Sequence, residues 1–190
     1  MFPTSIGYYK FAEGHYINRE QGSKHHVLIG CVSGSGTIRI AGVQYNINSN
    51  ELVFLPANTP HRYEANPSMP WTILWFHYDG LKCAAYHDAL GISADDPIIH
   101  VSNIGAIITA FEAIFFHTQN GYTNRALFCL STSLSHFFGQ CCLFKRAKNA
   151  PKRMTEEKIL ESVEFMKSNL GRALVLNDLA DVAGFTPPLF

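Results

Sequence analysis

The chain has 190 residues, 47% of them hydrophobic, and its 15 basic and 15 acidic residues give a formal net charge of zero. This length fits one ordinary domain or two small ones, with enough apolar residues for a packed core. The balanced charge excludes a global attraction to nucleic acid, although it leaves room for a local basic patch. The five cysteines form no CxxC pair, so free thiols in a reducing cytoplasm are the simplest interpretation.

The sequence predicts neither a secretory signal nor a membrane span. The first ten residues, "MFPTSIGYYK", lack a basic segment followed by a long apolar run. The most apolar window, residues 104–116, is short and is interrupted by Thr109 and Glu112. We therefore expect a cytoplasmic protein with no membrane partner.

Residues from about 8 to 78 have the pattern of β-strands. The runs "HVLIGCV", "TIRIA", "QYNI" and "ELVFL" are separated by the turn signals "SGSG", Gly42 and "NSN", and Pro56 ends the last run. Short strands with closely and evenly spaced turns are typical of a β-sandwich or β-barrel.

Two helices are predicted to follow the strands. The first has apolar residues at helical spacing from Ile104 to Phe115, and the second begins near Thr123. In the second helix, one stripe alternates steps of three and four residues, as in a heptad seam. A second apolar stripe lies beside it, which indicates two packing partners, namely the core of the domain and another element. The first stripe consists of Leu127, Leu130, Leu134, Phe137, Cys141 and Phe144, and the second of Phe128, Ser135, Phe138 and Cys142.

The C-terminal segment has the pattern of helices joined by short turns. The basic run "KRAKNAPKRM" has no apolar period and contains Pro151, so it is interpreted as a linker. Thr155 and the acidic residues after it are typical of a helix start. A shorter helix, "LNDLADVAG", ends at Gly184, and Thr186 with Pro187 suits the start of a third. This arrangement is that of a helix-turn-helix.

Several of these motifs resemble those of the AraC family of transcription regulators. At the C-terminus the likeness rests on "VLNDLADVAGFTPPLF", which is similar to the first of the two helix-turn-helix motifs of the family. Upstream, Arg19 and the strings "VLIGCVSGSG", "ELVFLPANTPHRY" and "PWTILWFHYDG" resemble the N-terminal cupin-like barrel, in the family's order. The resemblance implies an effector, often a sugar, in the barrel, and dimerisation through a helix that pairs with its copy.

The predicted fold class is therefore α+β, with a cupin-like (jelly-roll) β-barrel followed by helices and then an incomplete helix-turn-helix. We expect an effector-binding and dimerisation domain at residues 1–146, a linker at 147–154 and a truncated DNA-binding region at 155–190. The implied function is a ligand-responsive transcription regulator and not an enzyme. The predicted homodimer interface consists of Leu127, Leu130, Leu134, Phe137 and Cys141.

The predicted effector site lies on one face of several strands. His61 and Tyr63 alternate onto one strand face, and so do Trp75 and His77. With Arg19, these residues offer what a carbohydrate needs, an aromatic surface and fixed polar groups for its hydroxyls. The alternative is a purely structural role for these residues, with the tryptophan packed in the core and the histidines bonded to the backbone.

The main alternative is a metal-dependent cupin enzyme, such as an isomerase or dioxygenase. A third interpretation is a truncated reading frame with no function of its own. The string "NELVFLPANTPH" also resembles the second motif of metal-binding cupins, where the last histidine is a ligand. However, adjacent His25 and His26 point to opposite strand faces, and no glutamate follows them before the "SGSG" turn. We therefore predict no catalytic residue, no metal and no cofactor.

The chain on its own is not expected to bind DNA specifically. A recognition helix that starts at Thr186 has at most five residues here, and Pro187 to Phe190 carry no side-chain donors for bases. From residue 151 onward there are five basic and six acidic residues, so phosphate attraction is weak. The DNA-contacting residues are therefore unknown, and DNA is expected as a partner of a full-length regulator only.

Overall fold

A computed structural model describes the chain in two units, Met1–Arg146 and Ala147–Phe190. The described residues are 1–119, 121, 123–146, 162–163, 165–166, 169, 171 and 174–183. The first unit ends at the residue where the predicted effector-binding domain ends.

Within the described residues, nine strands form two antiparallel sheets in the first unit. The strands are β1 (Phe2–Tyr9), β2 (Tyr16–Arg19), β3 (His26–Ser33), β4 (Ser35–Ile40), β5 (Val43–Asn48), β6 (Glu51–Leu55), β7 (His61–Ala65), β8 (Thr72–Asp79) and β9 (Ile98–His100). One sheet has the order β1-β8-β3-β6-β9 and the other has the order β2-β7-β4-β5. This arrangement, with helices after it, confirms the predicted fold class of a cupin-like barrel followed by helices.

Turn residues set the connections between these strands. Ala41 and Gly42 both have positive φ and join β4 to β5 in a two-residue hairpin, the conformation that suits a tight β-turn. Gly34 also has positive φ, and a Cβ there would lie 2.4 Å from the carbonyl oxygen of Pro70. The predicted "SGSG" turn therefore requires glycine for both its conformation and its close backbone approach.

Four helices are described as α1 (Cys83–Leu90), α2 (Ile104–Thr118), α3 (Asn124–Phe144) and α4 (Leu176–Ala183). The Asn103 side chain accepts a hydrogen bond of 3.1 Å from the Ala106 amide at the start of α2. Thr123 caps α3 in the same way, with 3.1 Å to the Ala126 amide. Such caps satisfy backbone donors that the first helical turn leaves unpaired. The predicted start near Thr123 is confirmed.

The five-stranded sheet is buried on both faces. Strand side chains alternate, so β8 directs Leu74, Phe76 and Tyr78 into one core with the helices. The residues that alternate with them on β8, Ile73 and Trp75, face the other way and belong to a second core between the two sheets. The sheet thus separates a helix-side core from an inter-sheet core.

Helix α3 packs on the helix side of this sheet, and this corrects the predicted dimer interface. Leu130, Leu134, Phe137 and Cys141 are buried in the helix-side core of the chain itself. Only Leu127 of the predicted interface is exposed, at 44%. A heptad seam and the buried face of a core helix have the same spacing of three and four residues, so the pattern does not distinguish the two.

Helix α3 also has the length and apolar composition that a membrane-spanning helix needs. Its buried residues, however, pack in the helix-side core beside Phe54 and Phe76 of the sheet. Core helices of globular domains pass the same test of length and composition.

Three elements of the first unit were missed from the sequence, and one of them is strand β9, which lies beyond the predicted strand region. The N-terminal segment is strand β1, which pairs with β8 along its length, where the sequence pattern showed strands only from about residue 8. Helix α1 was not predicted, and its buried residues are Cys83 and Leu90.

The second unit is described only in part. Helix α4 corresponds to the predicted short helix, and Ala180 within it is fully buried. Ser162 donates a hydrogen bond of 3.2 Å to the carbonyl oxygen of Leu179. The predicted cap at Thr155, the turn at Gly184 and the start of the third helix at Thr186 lie outside the described residues.

Because Leu134 is fully buried and Leu127 is 44% exposed, truncating them to alanine should lower the free energy of unfolding by different amounts. Leu134→Ala is expected to lower the free energy of unfolding by about 2–5 kcal/mol, through lost burial and the cavity left behind. Leu127→Ala, on the same helix, should cost less than about 1 kcal/mol. Urea unfolding followed by circular dichroism measures both. Equal costs for the two variants would contradict the assignment of Leu134 to the core.

Candidate functional site

A cavity of about 160 Å³ lies between the two sheets. Strands β1, β3 and β8 supply one side of its wall, and β2 and β7 supply the other, with His15 from the loop before β2. The lining residues are Ser5, Tyr9, His15, Ile17, Arg19, Ile29, Tyr63, Ile73, Trp75 and His77. Four of the five residues predicted for the effector site therefore line this one cavity.

Trp75 forms the aromatic part of the wall on β8. Its register partner on β1 is Gly7, where a Cβ would lie 2.5 Å from Cζ2 of the indole. A larger residue at position 7 would therefore displace the ring. The ring centroids of Tyr9 and His77 lie 5.7 Å and 5.8 Å from that of Trp75, so aromatic rings continue along the wall.

Trp71 belongs to the core and not to the cavity wall. It is fully buried between the sheets, and its indole N–H donates to Nδ1 of His15 at 3.4 Å. Because Nδ1 of His15 accepts this bond, a neutral His15 carries its proton on Nε2. Trp71 thus fixes the tautomer of a histidine that lines the cavity.

Arg19 and His77 form the polar end of the wall. Nη1 of Arg19 lies 3.4 Å from Nε2 of His77, and Oγ of Ser23 lies 3.4 Å from the other ring nitrogen. A guanidinium only donates, so Nε2 of His77 is the acceptor and Nδ1 carries the proton. Burial lowers the pKa of His77 to about 4, helped by the charges of Arg19, His25 and His61. His77 is therefore neutral at pH 7.

Tyr63 is almost completely buried on β7 and keeps its proton at neutral pH. Burial raises its pKa, against a smaller opposing effect of the Arg19 charge. Its ring lies 5.5 Å from His15 and 6.3 Å from Trp71, measured between centroids. A protonated hydroxyl both donates and accepts, so Tyr63 offers the cavity a neutral group that can do either.

His61 does not line the cavity, which corrects its predicted contact with the effector. Its Nδ1–H donates to the carbonyl oxygen of Thr59 at 2.8 Å, and its ring stacks on Tyr63 with centroids 6.1 Å apart. Burial lowers its pKa, although the hydrogen bond to Thr59 opposes this shift. These contacts hold His61 beside Tyr63, so it supports the wall from the adjacent position.

Two buried polar atoms at the site have no partner among the described residues. They are Nε2 of His61 and Nε1 of Trp75. An unpaired buried polar atom costs about 1–3 kcal/mol, and such atoms are rare in folded proteins. Both belong to residues that the sequence singled out for this site.

Several wall residues were missed from the sequence. Ile17 has a recognisable signal, because it lies two residues before Arg19 on the same strand face. Ser5, Tyr9 and His15 have no such signal, because apolar and polar residues do not alternate clearly along the N-terminal segment that carries them.

The alternative of a metal-dependent enzyme needs a set of metal ligands, and the described part of the chain lacks one. There, no three His, Cys, Asp or Glu side chains converge as metal ligands. Of the two adjacent histidines, His25 contacts Oδ2 of Asp79 at 3.1 Å, and His26 stacks on Tyr78 in contact with the helix side. The adjacent histidines His25 and His26 therefore each have a partner within the protein.

A larger groove, of about 560 Å³, lies outside the barrel between β1 and α2. It is lined mainly by Tyr8, Ile108, Phe111, Phe115 and Phe116. Three of these, Tyr8, Phe115 and Phe116, are 44%, 39% and 63% exposed. None of the residues predicted for the effector site lies in this groove.

Comparison with known proteins gives one family match and one curated relative. A family model described as the AraC-like ligand binding domain matches residues 2–138. The MmsAB operon regulatory protein of Pseudomonas aeruginosa is 32% identical over 126 residues, which is 64% of this chain and 40% of the relative. The chain thus spans less than half the length of the curated relative that it matches.

Solved structures of low identity also align with the chain. The AraC-like transcriptional activator CuxR is 11% identical, covers 93% of this chain and 65% of its own, and has a TM-score of 0.44. ToxT from Vibrio cholerae is 14% identical, with coverages of 96% and 71% and a TM-score of 0.44. An RmlC-like cupin from Shewanella frigidimarina is 18% identical, with coverages of 34% and 57% and a TM-score of 0.29.

The low pKa of His77 predicts a loss of stability in acid. The unfolded chain takes up a proton near pH 6.5, which the folded protein resists until about pH 4. The contribution is therefore complete above pH 6.5 and is lost as the pH falls toward 4, by at most about 1.4 kcal/mol per pH unit. His77→Gln should flatten this part of the pH dependence of urea unfolding. Val43→Ala, at an exposed position of β5, is the control and should keep the wild-type slope. An unchanged slope in His77→Gln would contradict the assignment.

Proposed function

Because the chain belongs to the AraC-like ligand binding domain family, we propose that the cavity between the sheets is the effector site of a ligand-responsive transcription regulator. The observation that carries this proposal is the convergence of Arg19, Tyr63, Trp75 and His77 on one cavity inside the matched residues 2–138. They come from three strands in two sheets, so their proximity is a product of the fold.

The site is proposed to bind and not to catalyse. Its wall combines three isoleucines and aromatic rings with a few polar groups, the usual composition of a small-molecule site. At about 160 Å³ it is smaller than the ~300–1,000 Å³ of drug-sized pockets, so the effector is small. Effector binding would act by favouring one arrangement of the regulator over another.

A carbohydrate is the effector that the sequence resemblance implies. Trp75 and Tyr9 support it, because their rings are suited to the C–H face of a sugar. The polar groups of the wall support it less well, since none of the ten lining residues is an Asp, Glu, Asn or Gln. We therefore propose a small molecule as effector, with carbohydrate as the class suggested by the resemblance alone.

We further propose that the regulator is a homodimer, through the outer face of α3. Four of the five predicted interface residues are occupied by the core, but Phe128 and Leu143 on the other side are 74% and 70% exposed. Thr132 and Gly139 lie on the same side and are small, and a Cβ on Gly139 would meet nothing within 4 Å. A partner helix could therefore approach closely and cover the exposed apolar residues.

The DNA-binding role is proposed for the complete regulator. The curated relative is named as an operon regulatory protein, and this chain covers 40% of it. The predicted helix-turn-helix corresponds only in part to described residues, through α4. A cytoplasmic location follows from the same role.

Replacing Trp75 should weaken effector binding without unfolding the barrel. A library of small polar metabolites is first screened by thermal shift on the 190-residue chain, and each hit is titrated. Trp75→Leu is expected to raise Kd about tenfold or more, because it removes the main aromatic surface of the wall. The matched control is Tyr16→Leu, an aromatic residue 50% exposed on β2. An equal loss in both variants, or none in Trp75→Leu, would argue against this cavity as the effector site.

Placing a charge on the outer face of α3 should release monomers. Phe128→Asp is expected to shift the monomer–dimer equilibrium in sedimentation, because burying an unpaired carboxylate is unfavourable. Leu81→Asp, at a fully exposed apolar residue, is the control and should leave the equilibrium unchanged. A monomeric wild type at tens of micromolar would overturn the dimer proposal.

A further inference from the structure

We infer that the effector carries a carboxylate, which binds the guanidinium of Arg19, with a short apolar part against the isoleucines of the cavity. This inference rests on the proposed function, because it names the chemical class of the molecule sensed at that site. It departs from the carbohydrate that the sequence resemblance implies.

The first reason is that Arg19 has no acidic partner. Among the described residues, no carboxylate oxygen lies within 4.0 Å of its guanidinium, and its one side-chain hydrogen bond is to neutral His77. Its positive charge adds to the effect of burial in lowering the pKa of His61 and His77, and it opposes the effect of burial on the pKa of Tyr63. A partly buried cation without a counter-charge is costly, and a bound anion supplies that charge.

The acidic residues on neighbouring strands are engaged elsewhere. Oδ1 of Asp79 accepts from the Gly80 amide and Oδ2 contacts His25, while Glu64 accepts from the Thr37 hydroxyl. Glu20 lines a separate surface depression that it shares with Arg39 and Arg62 as well as Arg19. There the arginines outnumber the one acid, so Glu20 does not neutralise this end of the barrel.

The second reason is that the nitrogen groups of the wall act as donors, so the acceptors that it offers a ligand are the hydroxyls of Ser5, Tyr9 and Tyr63. Arg19 is donor-only, and Nδ1 of His15 already accepts from Trp71, which leaves its Nε2–H to donate. The acceptor nitrogen of His77 is occupied by Arg19. A sugar presents hydroxyls that also donate, and each one unpaired would cost about 1–3 kcal/mol.

A carboxylate matches this wall better than a sugar does. It is an acceptor with two oxygens, and the arginine fork binds it through two parallel hydrogen bonds. The remaining wall contains Ile17, Ile29 and Ile73, which suit a short carbon chain. A cavity of about 160 Å³ holds the volume of about five waters at ~30 Å³ each, so a compact organic acid fits.

The test compares acids with their uncharged amides on the 190-residue chain. The probes are lactate and butyrate, their amides lactamide and butyramide, and the monosaccharides glucose and xylose, all at equal ionic strength. Binding is followed by tryptophan fluorescence, since Trp71 lies in the core next to the cavity and Trp75 in its wall. At least one acid should bind about tenfold more tightly than its amide, as expected for a charge-assisted pair.

Arg19→Gln separates the role of this charge from a general salt effect. It should weaken binding of the acid about tenfold and remove the preference over the amide. Arg39→Gln removes one positive charge from an exposed position on β4, where Arg39 bonds Gln44, and should change neither. Near-ultraviolet circular dichroism checks that both variants are folded.

The inference is overturned if an amide or a monosaccharide binds as tightly as the acids, or if Arg19→Gln keeps the preference for the acid. It is also overturned if none of the acids binds. These results leave the effector-site proposal standing, because that proposal is decided by whether Trp75→Leu weakens the binding of any screened hit.

Discussion

Strand β8 carries side chains for two different environments, and the position of the cavity follows from this alternation. Leu74, Phe76 and Tyr78 point to the core beneath the helices, and Ile73, Trp75 and His77 point between the sheets. A shift of one residue in register would exchange the two sets and place His77 among the phenylalanines of the helix side. The helix-side core therefore fixes which residues of β8 reach the cavity.

The same arrangement explains why polar groups persist inside the barrel. The ring nitrogens of His77 contact Arg19 and Ser23, and the ring of Tyr63 stacks on His61. Burial keeps both residues uncharged, so the guanidinium of Arg19 is the fixed charge of the wall. Neutral polar groups around one cation favour a small anion, because an anion offers hydrogen-bond acceptors and a counter-charge together.

The alternation of single strands predicted much of the site. Trp75 and His77 lie two residues apart, and both line the cavity, as does Tyr63, whereas His61, two residues before Tyr63, lies beside it. Tyr9 and His15 could not be predicted, because their contribution depends on β1 and the following loop closing over the sheets. The sequence also placed α3 correctly but not its partner. Its heptad spacing predicted a dimer seam, whereas Leu134 and Phe137 pack in the chain's own core, since helical periodicity does not identify what covers a face.

Isotope-edited NMR of the nitrogen-labelled chain, titrated with a confirmed ligand, tests the account most directly. If the cavity is the effector site, the indole N–H of Trp75 and the side chain of Arg19 should shift most, together with the amides of β2, β7 and β8. The rival location is the exposed groove between β1 and α2, beside Tyr8 and Phe115. Shifts confined to that groove, with Trp75 and Arg19 unaffected, would contradict the account.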